Sequence, residues 1–368
     1  MEKLLEPTML PEELNHQMLK EILEEPAVVE RTIDTEISKT RRIARDIRSK
    51  GYEMFYITGS GTSYHAGLAS QYALSNLTNI MTSIIPASEF QRWVPIKISR
   101  KVLLLAMSQS GESSDVVEAA EAALARGMTV LAVTNTVGSK LAQISTYKLF
   151  PRSGKERAIP ATKTYVTQLA SIFMLSVELA EGSLDAKELE YVRNGLYRAP
   201  QLVDDTLRAL NAQIRGLAEK YHRKNVLFLL GSGPNYATAL EGALKLKETC
   251  TVYAEGFATR EFLHGPMRLV DERTLVIMIV SPGEVDPDLD IGRSLRNFGA
   301  PVILISEESA SSARFKECSD EVVLVPQGLP KVFSPLLYVV PLQLFAYYSS
   351  VFRGLNPDKP EKLSKVVK

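Results

Sequence analysis

The stretch Met54-Phe55-Tyr56-Ile57-Thr58-Gly59-Ser60-Gly61 has a counterpart 172 residues further on, Val226-Leu227-Phe228-Leu229-Leu230-Gly231-Ser232-Gly233. In both, an apolar run of strand length enters a Gly-Ser-Gly turn and a helix-like stretch follows. The same offset carries Glu89-Phe90 onto Glu261-Phe262, Gly111-Glu112 onto Gly283-Glu284 and Gly127 onto Gly299. Matches held in one register indicate an internal duplication, the feature to establish first in a long chain. The expected organisation is an N-terminal helical segment over 1–27, a first domain over 28–199, a second over 200–353 and a short C-terminal tail over 354–368. Helical sequence from Tyr197 to Ala218 joins the two copies.

Within the first copy, strands are expected at Met54 to Ile57, Ser83 to Ile85, Val102 to Met107, Thr129 to Val133 and Tyr147 to Phe150, with helices between them. Short, continuously apolar strands alternating with helices predict an α/β fold with a doubly wound parallel sheet covered on both faces. Ahead of them, Pro11 to Leu23 reads as a helix ending near Pro26, and Ala27 to Lys50 as a second helix with Val28, Ile33, Ile37, Ile43 and Ile47 in its apolar positions. The chain has 368 residues, 45% of them apolar, enough for two cores. Its formal net charge is zero, so no basic surplus draws it to nucleic acid. Cys250 and Cys318 lie too far apart for a disulfide framework or a metal-ligand spacing, which suits a reducing cytoplasm. The N-terminus has no apolar signal core, and no run approaches the roughly 18 apolar residues of a membrane span. A cytoplasmic protein that uses no metal and no membrane is expected.

Chemistry concentrates in Met107-Ser108-Gln109-Ser110-Gly111-Glu112-Ser113-Ser114, between the strand and the helix-like Asp115 to Arg126. A buried strand, a Ser/Gly turn and a helix N-terminus bring hydroxyls and backbone N–H groups together where the helix dipole favours an anion, so the stretch reads as a phosphate cradle. An ordinary strand-to-helix loop with a Ser cap accounts for the same residues. The two copies differ here. Ser108, Ser110, Ser113 and Ser114 fall opposite Val280, Pro282, Val285 and Asp286. In the helix after the glycine turn, Ala69, Ala73 and Asn76 fall opposite Glu241, Lys245 and Glu248, whose spacings of four and three put three charges on one helical face. A solvated face carrying a Glu-Lys pair has the same spacing. The glycine turn lacks the third glycine of a dinucleotide fingerprint, Tyr64 standing in its place, so no nicotinamide cofactor is expected.

Gly61-Thr62-Ser63-Tyr64, Ser108-Gln109-Ser110-Gly111-Glu112, Ala161-Thr162-Lys163, Glu241-Gly242-Ala243-Leu244-Lys245-Leu246-Lys247-Glu248 and Leu263-His264-Gly265-Pro266, with the tail Leu363-Ser364-Lys365, resemble the motifs of tandem sugar isomerase (SIS) domains. More closely, they resemble the isomerase half of the glutamine:fructose-6-phosphate amidotransferase family, from about Leu14 to Lys365. The resemblance implies two SIS domains acting without a cofactor on a sugar phosphate, as a homodimer. In that family the glutaminase uses a cysteine directly after the initiator Met, where this sequence has Glu2. The resemblance therefore points to stand-alone relatives such as archaeal-type glucosamine-6-phosphate deaminases, which yield fructose 6-phosphate and ammonia. The alternatives are an isomerase forming glucosamine 6-phosphate from free ammonia or a separate glutaminase, a deaminase of galactosamine or fructosamine phosphates, and a non-catalytic sugar-phosphate sensor.

The resemblance also implies roles. Ser108, Gln109, Ser110 and Ser113 hold the phosphate, with Ser63 nearby, and Ser113 stands where the synthases usually have Thr. Thr62 and the backbone at Ile159 bind sugar hydroxyls, although Pro160 removes an N–H donor beside it. Glu248 is the base that moves a proton between C1 and C2. His264, lent by the neighbouring subunit, opens the ring as acid and base. Lys245 assists the proton transfer or stabilises the developing oxyanion, and Glu241 orients it or binds a hydroxyl. Lys365, beside Ser364, matches the Schiff-base lysine of the tail. A deaminase releasing its imine to water needs no such adduct. The first copy's turn thus anchors phosphate, and the second copy supplies the proton chemistry.

Overall fold

The structure, a computed structural model, describes residues 15–98, 101–282, 285–309 and 312–365. The expected helix start at Pro11 to Leu14, the match at Gly283-Glu284 and the terminal Val366-Val367-Lys368 lie outside the described residues.

The chain divides into two compact units. The first-copy unit holds Glu25–Glu156 and Lys163–Pro200 with the tail from Ser364. Its elements are α2 (Glu25–Lys50), which follows α1 (Gln17–Leu23) in the chain, then β1 (Met54–Gly59), α3 (Thr62–Thr78), β2 (Met81–Pro86), α4 (Ala87–Trp93), β3 (Val102–Met107), α5 (Ser114–Ala125), β4 (Thr129–Val133), α6 (Lys140–Ile144), β5 (Tyr147–Leu149) and α7 (Lys163–Leu179). The five strands form one parallel sheet in the order β2-β1-β3-β4-β5. Every residue of the central β3 is buried, as a strand covered on both faces requires. Leu104, Ala106, Val130 and Ala132 pack against α4 and α5 on one side. The helix α7 packs with α2 and α3 and is buried along all 17 of its residues.

The second-copy unit holds Gln201–Leu363, Arg157–Thr162 and the N-terminal segment through Glu24. After α8 (Ala186–Tyr221) come β6 (Val226–Gly231), α9 (Pro234–Cys250), β7 (Tyr253–Ala258), β8 (Thr274–Val280), α10 (Val285–Asn297), β9 (Val302–Glu307), α11 (Ser312–Cys318), β10 (Glu321–Val325) and α12 (Pro335–Phe352). Its parallel sheet has the equivalent order, β7-β6-β8-β9-β10. The 172-residue register survives in detail. Met54 lies level with Met81 and Val102, and Val226 with Tyr253 and Thr274. Gly61 opens α3 at φ +54°, ψ −127°, and Gly233 opens α9 at φ +54°, ψ −131°. Those helices end alike, with Asn79 and Thr251 left-handed at φ +57° and +55°.

Several expectations need correction. Pairing with β1 extends β2 beyond Ser83 to Ile85, and β5 stops at Leu149. The first helix ends at Leu23 as expected, but the second starts at Glu25 rather than Ala27, so Pro26 sits in the first turn of α2, where its missing N–H costs nothing. The joining helix is longer than Tyr197 to Ala218, and α8 runs 36 residues with Pro200 inside it. The division into units is also not linear along the chain. Glu21 accepts the N–H groups of Arg157 and Ala158. Asp358 of the tail caps α1 through the N–H groups of Gln17 and Met18, both at 2.8 Å, while its carbonyl accepts the Ile159 N–H at 2.9 Å. These bonds tie 157–162 and part of the tail to the N-terminal segment. Finally, the stretch Lys331–Phe352, containing α12, is long and apolar enough on average to cross a membrane, but 94% of its apolar window is buried, as in a core helix.

Thr251 is β-branched at a left-handed helix end, a conformation that costs an L-residue about 1–2 kcal/mol. Thr251→Gly is expected to raise the thermal unfolding midpoint, with a net gain of about 1 kcal/mol. An unchanged or lower midpoint would show that the helix end is not strained.

Candidate active site

The stretch Ser108 to Ser113 forms a clamped turn in the first-copy unit. The Ser108 N–H donates to Val133 O at the end of β4 (3.0 Å), and the Asn135 N–H donates to Gln109 O (3.1 Å). Gly111 adopts φ +67°, and its carbonyl accepts the Leu141 N–H (3.1 Å), while Glu112 Oε1 accepts the Lys140 N–H (3.0 Å). A Cβ at Gly111 would lie 2.1 Å from Ser139 Oγ and 2.7 Å from Thr134 Oγ1, so only glycine fits. The Gly111 and Glu112 N–H groups donate to Ser108 Oγ and Ser110 Oγ, each at 3.1 Å. Ser113 is the N-cap of α5, and its hydroxyl makes no capping bond. Hydroxyls and a helix N-terminus are thus concentrated on a rigid turn, the requirement for holding a dianion.

The same unit contributes further groups. Thr62 begins α3, and the buried Ser63 Oγ accepts the Gln168 side-chain N–H from α7 (3.0 Å). Gln109 lines an open cavity of about 750 Å³ together with Arg31, Asn135, Arg152 and Lys155. These cations surround one side of the turn, although Arg152 is also paired with Glu36. In the tail Ser364 is exposed, whereas Lys365 reaches Glu156 Oε2 at 2.6 Å.

In the second-copy unit the matching helix start is held by a buried network. Asn235, the counterpart of Ser63, donates to Ser281 Oγ and Ser334 Oγ, both at 2.9 Å, and its Oδ1 accepts from Thr238 (3.1 Å). All four side chains are buried. On α9, Lys245 has no exposed side-chain surface and lies 3.3 Å from Glu241 Oε1 and 2.5 Å from Glu248 Oε2. Burial works to lower the Lys245 pKa, but the Glu241 and Glu248 carboxylates outweigh it and hold the ammonium above its ordinary value. Glu248 keeps 18% of its side chain exposed and so can reach an incoming group. His264 ends a short 3-10 helix and is exposed, with no side-chain partner among the described residues. Ile159 belongs to this unit, and its N–H is committed to Asp358 O, so the expected backbone contact to a sugar hydroxyl cannot use that amide.

The sequence pattern of the SIS domain matches residues 53–177 and 220–353. The chain belongs to the SIS domain family. One SIS relative, the glutamine–fructose-6-phosphate aminotransferase (isomerizing) of Methanothermobacter thermautotrophicus, is 40% identical over 354 residues; the match covers 96% of this chain and 57% of that protein. The chain therefore spans little more than half the length of that SIS protein. Among solved SIS structures, the C-terminal domain of glucosamine-fructose-6-phosphate aminotransferase from Francisella tularensis superposes with a TM-score of 0.87 at 27% identity, over 96% of this chain and 100% of that one. Glucosamine-6-phosphate deaminase from Thermotoga maritima shares the fold, with a TM-score of 0.74 at 24% identity over 95% and 99% of the two chains.

The structure brings Glu241, Lys245 and Glu248 together in one unit, and Ser108, Ser110 and Ser113 on one turn in the other. Sequence reasoning missed Glu156, Gln168 and the cations Arg31 and Arg152. Only nearness to the Ala161-Thr162-Lys163 motif could have pointed to Glu156, and nothing in the local pattern marks the others.

Gly111→Ala is expected to raise the dissociation constant for a sugar phosphate at least tenfold by displacing the turn, read by calorimetric titration. Asn235→Ala, which opens a buried network, is expected to cost about 2 kcal/mol of stability and to leave that constant unchanged. Equal binding by Gly111→Ala and the wild type would remove the turn from the phosphate site.

Proposed function

We propose that this SIS protein is a sugar-phosphate isomerase whose net reaction is deamination of glucosamine 6-phosphate, giving fructose 6-phosphate and ammonia. The observation that carries the reading is the buried Glu241-Lys245-Glu248 cluster in the unit whose sequence lacks the serine cluster, while the other unit keeps the serine turn. The turn at Ser108 to Gly111, with Ser113 and Ser63, binds the phosphate dianion, and Thr62 and Glu241 bind sugar hydroxyls. His264 opens the ring. Its exposed, unengaged imidazole supports donation to a neighbouring copy in a homodimer.

Glu248 takes the C2 proton of the open-chain 2-amino aldehyde to give an enolamine and returns a proton at C1, which leaves the imine at C2, a step one carboxylate performs if it reaches both carbons. Lys245 is held charged by its two neighbours, so it serves better as a fixed cation opposite developing negative charge than as a proton carrier. The ketose imine then loses ammonia to water. The likeness to aminotransferases favours a second reading, the forming direction from fructose 6-phosphate and ammonia. The same residues serve both directions, because catalysis accelerates a reaction and its reverse equally.

The deciding assay measures ammonia release from glucosamine 6-phosphate, galactosamine 6-phosphate and fructosamine 6-phosphate, beside formation of amino sugar from fructose 6-phosphate with ammonia. Ammonia from glucosamine 6-phosphate is expected, and silence with all three would end the deaminase reading. Glu248→Gln should lower turnover by about 10²–10⁴-fold while substrate still binds. Wild-type turnover in that variant would exclude Glu248 as the base.

A further inference from the structure

We propose that Glu156 is the proton acceptor and donor for Lys365 as its amine forms an imine with the open-chain ketose, an inference that rests on the sugar-phosphate reading above. Lys365 is the last of the described residues, yet its side chain does not extend into solvent as an idle tail lysine would. Its Nζ lies 2.6 Å from Oε2 of Glu156, a carboxylate with no exposed side-chain surface. Glu156 is itself fixed from both oxygens. Oε1 accepts the Thr164 backbone N–H (3.2 Å) and Oε2 accepts the Thr164 hydroxyl (2.7 Å). Thr164 lies in the first turn of α7, where the helix dipole favours a negative charge. Gln168, one turn further along the same helix, donates to Ser63 Oγ. The amine of Lys365 and the Ser63 hydroxyl are therefore positioned by side chains one turn apart on one helix face, about 5.4 Å along its axis.

An ammonium has no electron pair with which to attack a carbonyl. The pair supplies the missing step. Glu156 takes one proton from the Lys365 ammonium, the neutral amine adds to the C2 carbonyl, and the carbonyl oxygen takes up a proton released from nitrogen to give a carbinolamine. The protonated Glu156 then gives its proton to that hydroxyl, the C2–O bond breaks, water leaves, and the nitrogen electron pair forms the protonated imine. Glu156 ends as it began, a carboxylate. The three protons of the ammonium are accounted for, with two in water and one on the imine nitrogen. A carboxylate that only latched the tail would need no access to this cycle, which is what the test separates.

The intact protein is incubated with fructose 6-phosphate and borohydride, and the reduced adduct on Lys365 is followed by peptide mass spectrometry as a function of pH. The wild type is expected to be labelled at Lys365 at neutral pH. Glu156→Gln should label at least tenfold more slowly there and recover as pH rises toward the range where a lysine loses its proton unaided. Glu156→Asp, which keeps the charge, should show a smaller loss with the same recovery and serves if the Gln variant does not fold. An unlabelled Lys365 in a wild type that still turns over amino sugar phosphate overturns this inference and leaves the sugar-phosphate reading standing. Loss of labelling that is equal at every pH, or neutral-pH labelling by Glu156→Gln at the wild-type rate, also overturns it. A wild type that neither binds fructose 6-phosphate nor turns over any amino sugar phosphate overturns the reading itself.

Discussion

Each copy passes from strand to helix through a glycine that only glycine can replace without strain, Gly61 or Gly233, both at φ +54°. The glycine that closes the preceding strand is packed onto the backbone of the helix that follows. A Cβ on Gly59 would lie 3.0 Å from the carbonyl carbon of Ser63, and one on Gly231 would lie 2.2 Å from the carbonyl oxygen of Asn235. This close approach fixes α3 and α9 on their strands and makes residue 63 comparable with residue 235. On that common frame the two copies diverge by single side chains. Ser63 keeps a hydroxyl that accepts from Gln168, whereas Asn235 uses its longer amide to bond Ser281 and Ser334.

The duplication also separates structural from chemical roles for the charges on α9. The positions of Glu241 and Lys245 are held in the first copy by Ala69 and Ala73, both fully buried in a helix of the same length and register. The frame forms with alanine there, so it does not require a buried ammonium between two carboxylates. Burying such charges is costly, and apolar residues of matching shape often serve stability as well or better. The second copy carries the cost at the one helix where a carboxylate, Glu248, remains partly exposed beside the cation.

Much of this was legible in the residues. The repeat at Gly59-Ser60-Gly61 and Gly231-Ser232-Gly233 carries the whole fold, because glycine turns and apolar strands are local features with local causes. The central strands Val102 to Met107 and Thr129 to Val133 were likewise readable to the residue. The helices α7 and α12 were not, since they are buried on nearly every side and show no polar face from which to infer a period. The cap that Asp358 provides for α1, and the bond from Glu156 to Lys365, join residues more than two hundred positions apart, and no local pattern encodes them. The bonds from Asn235 to Ser281 and Ser334 are hidden for the same reason.

The account's central claim is that the first copy binds and the second copy moves the proton. The most direct test is exchange of the C1 hydrogen of fructose 6-phosphate in deuterated water, followed by proton NMR at saturating sugar phosphate. The account predicts that Ser110→Ala needs more sugar phosphate to saturate but then exchanges at the wild-type rate, and that Glu248→Gln, with sugar phosphate bound, does not exchange. Exchange by Glu248→Gln at the wild-type rate, or a saturated rate that collapses in Ser110→Ala, would contradict it.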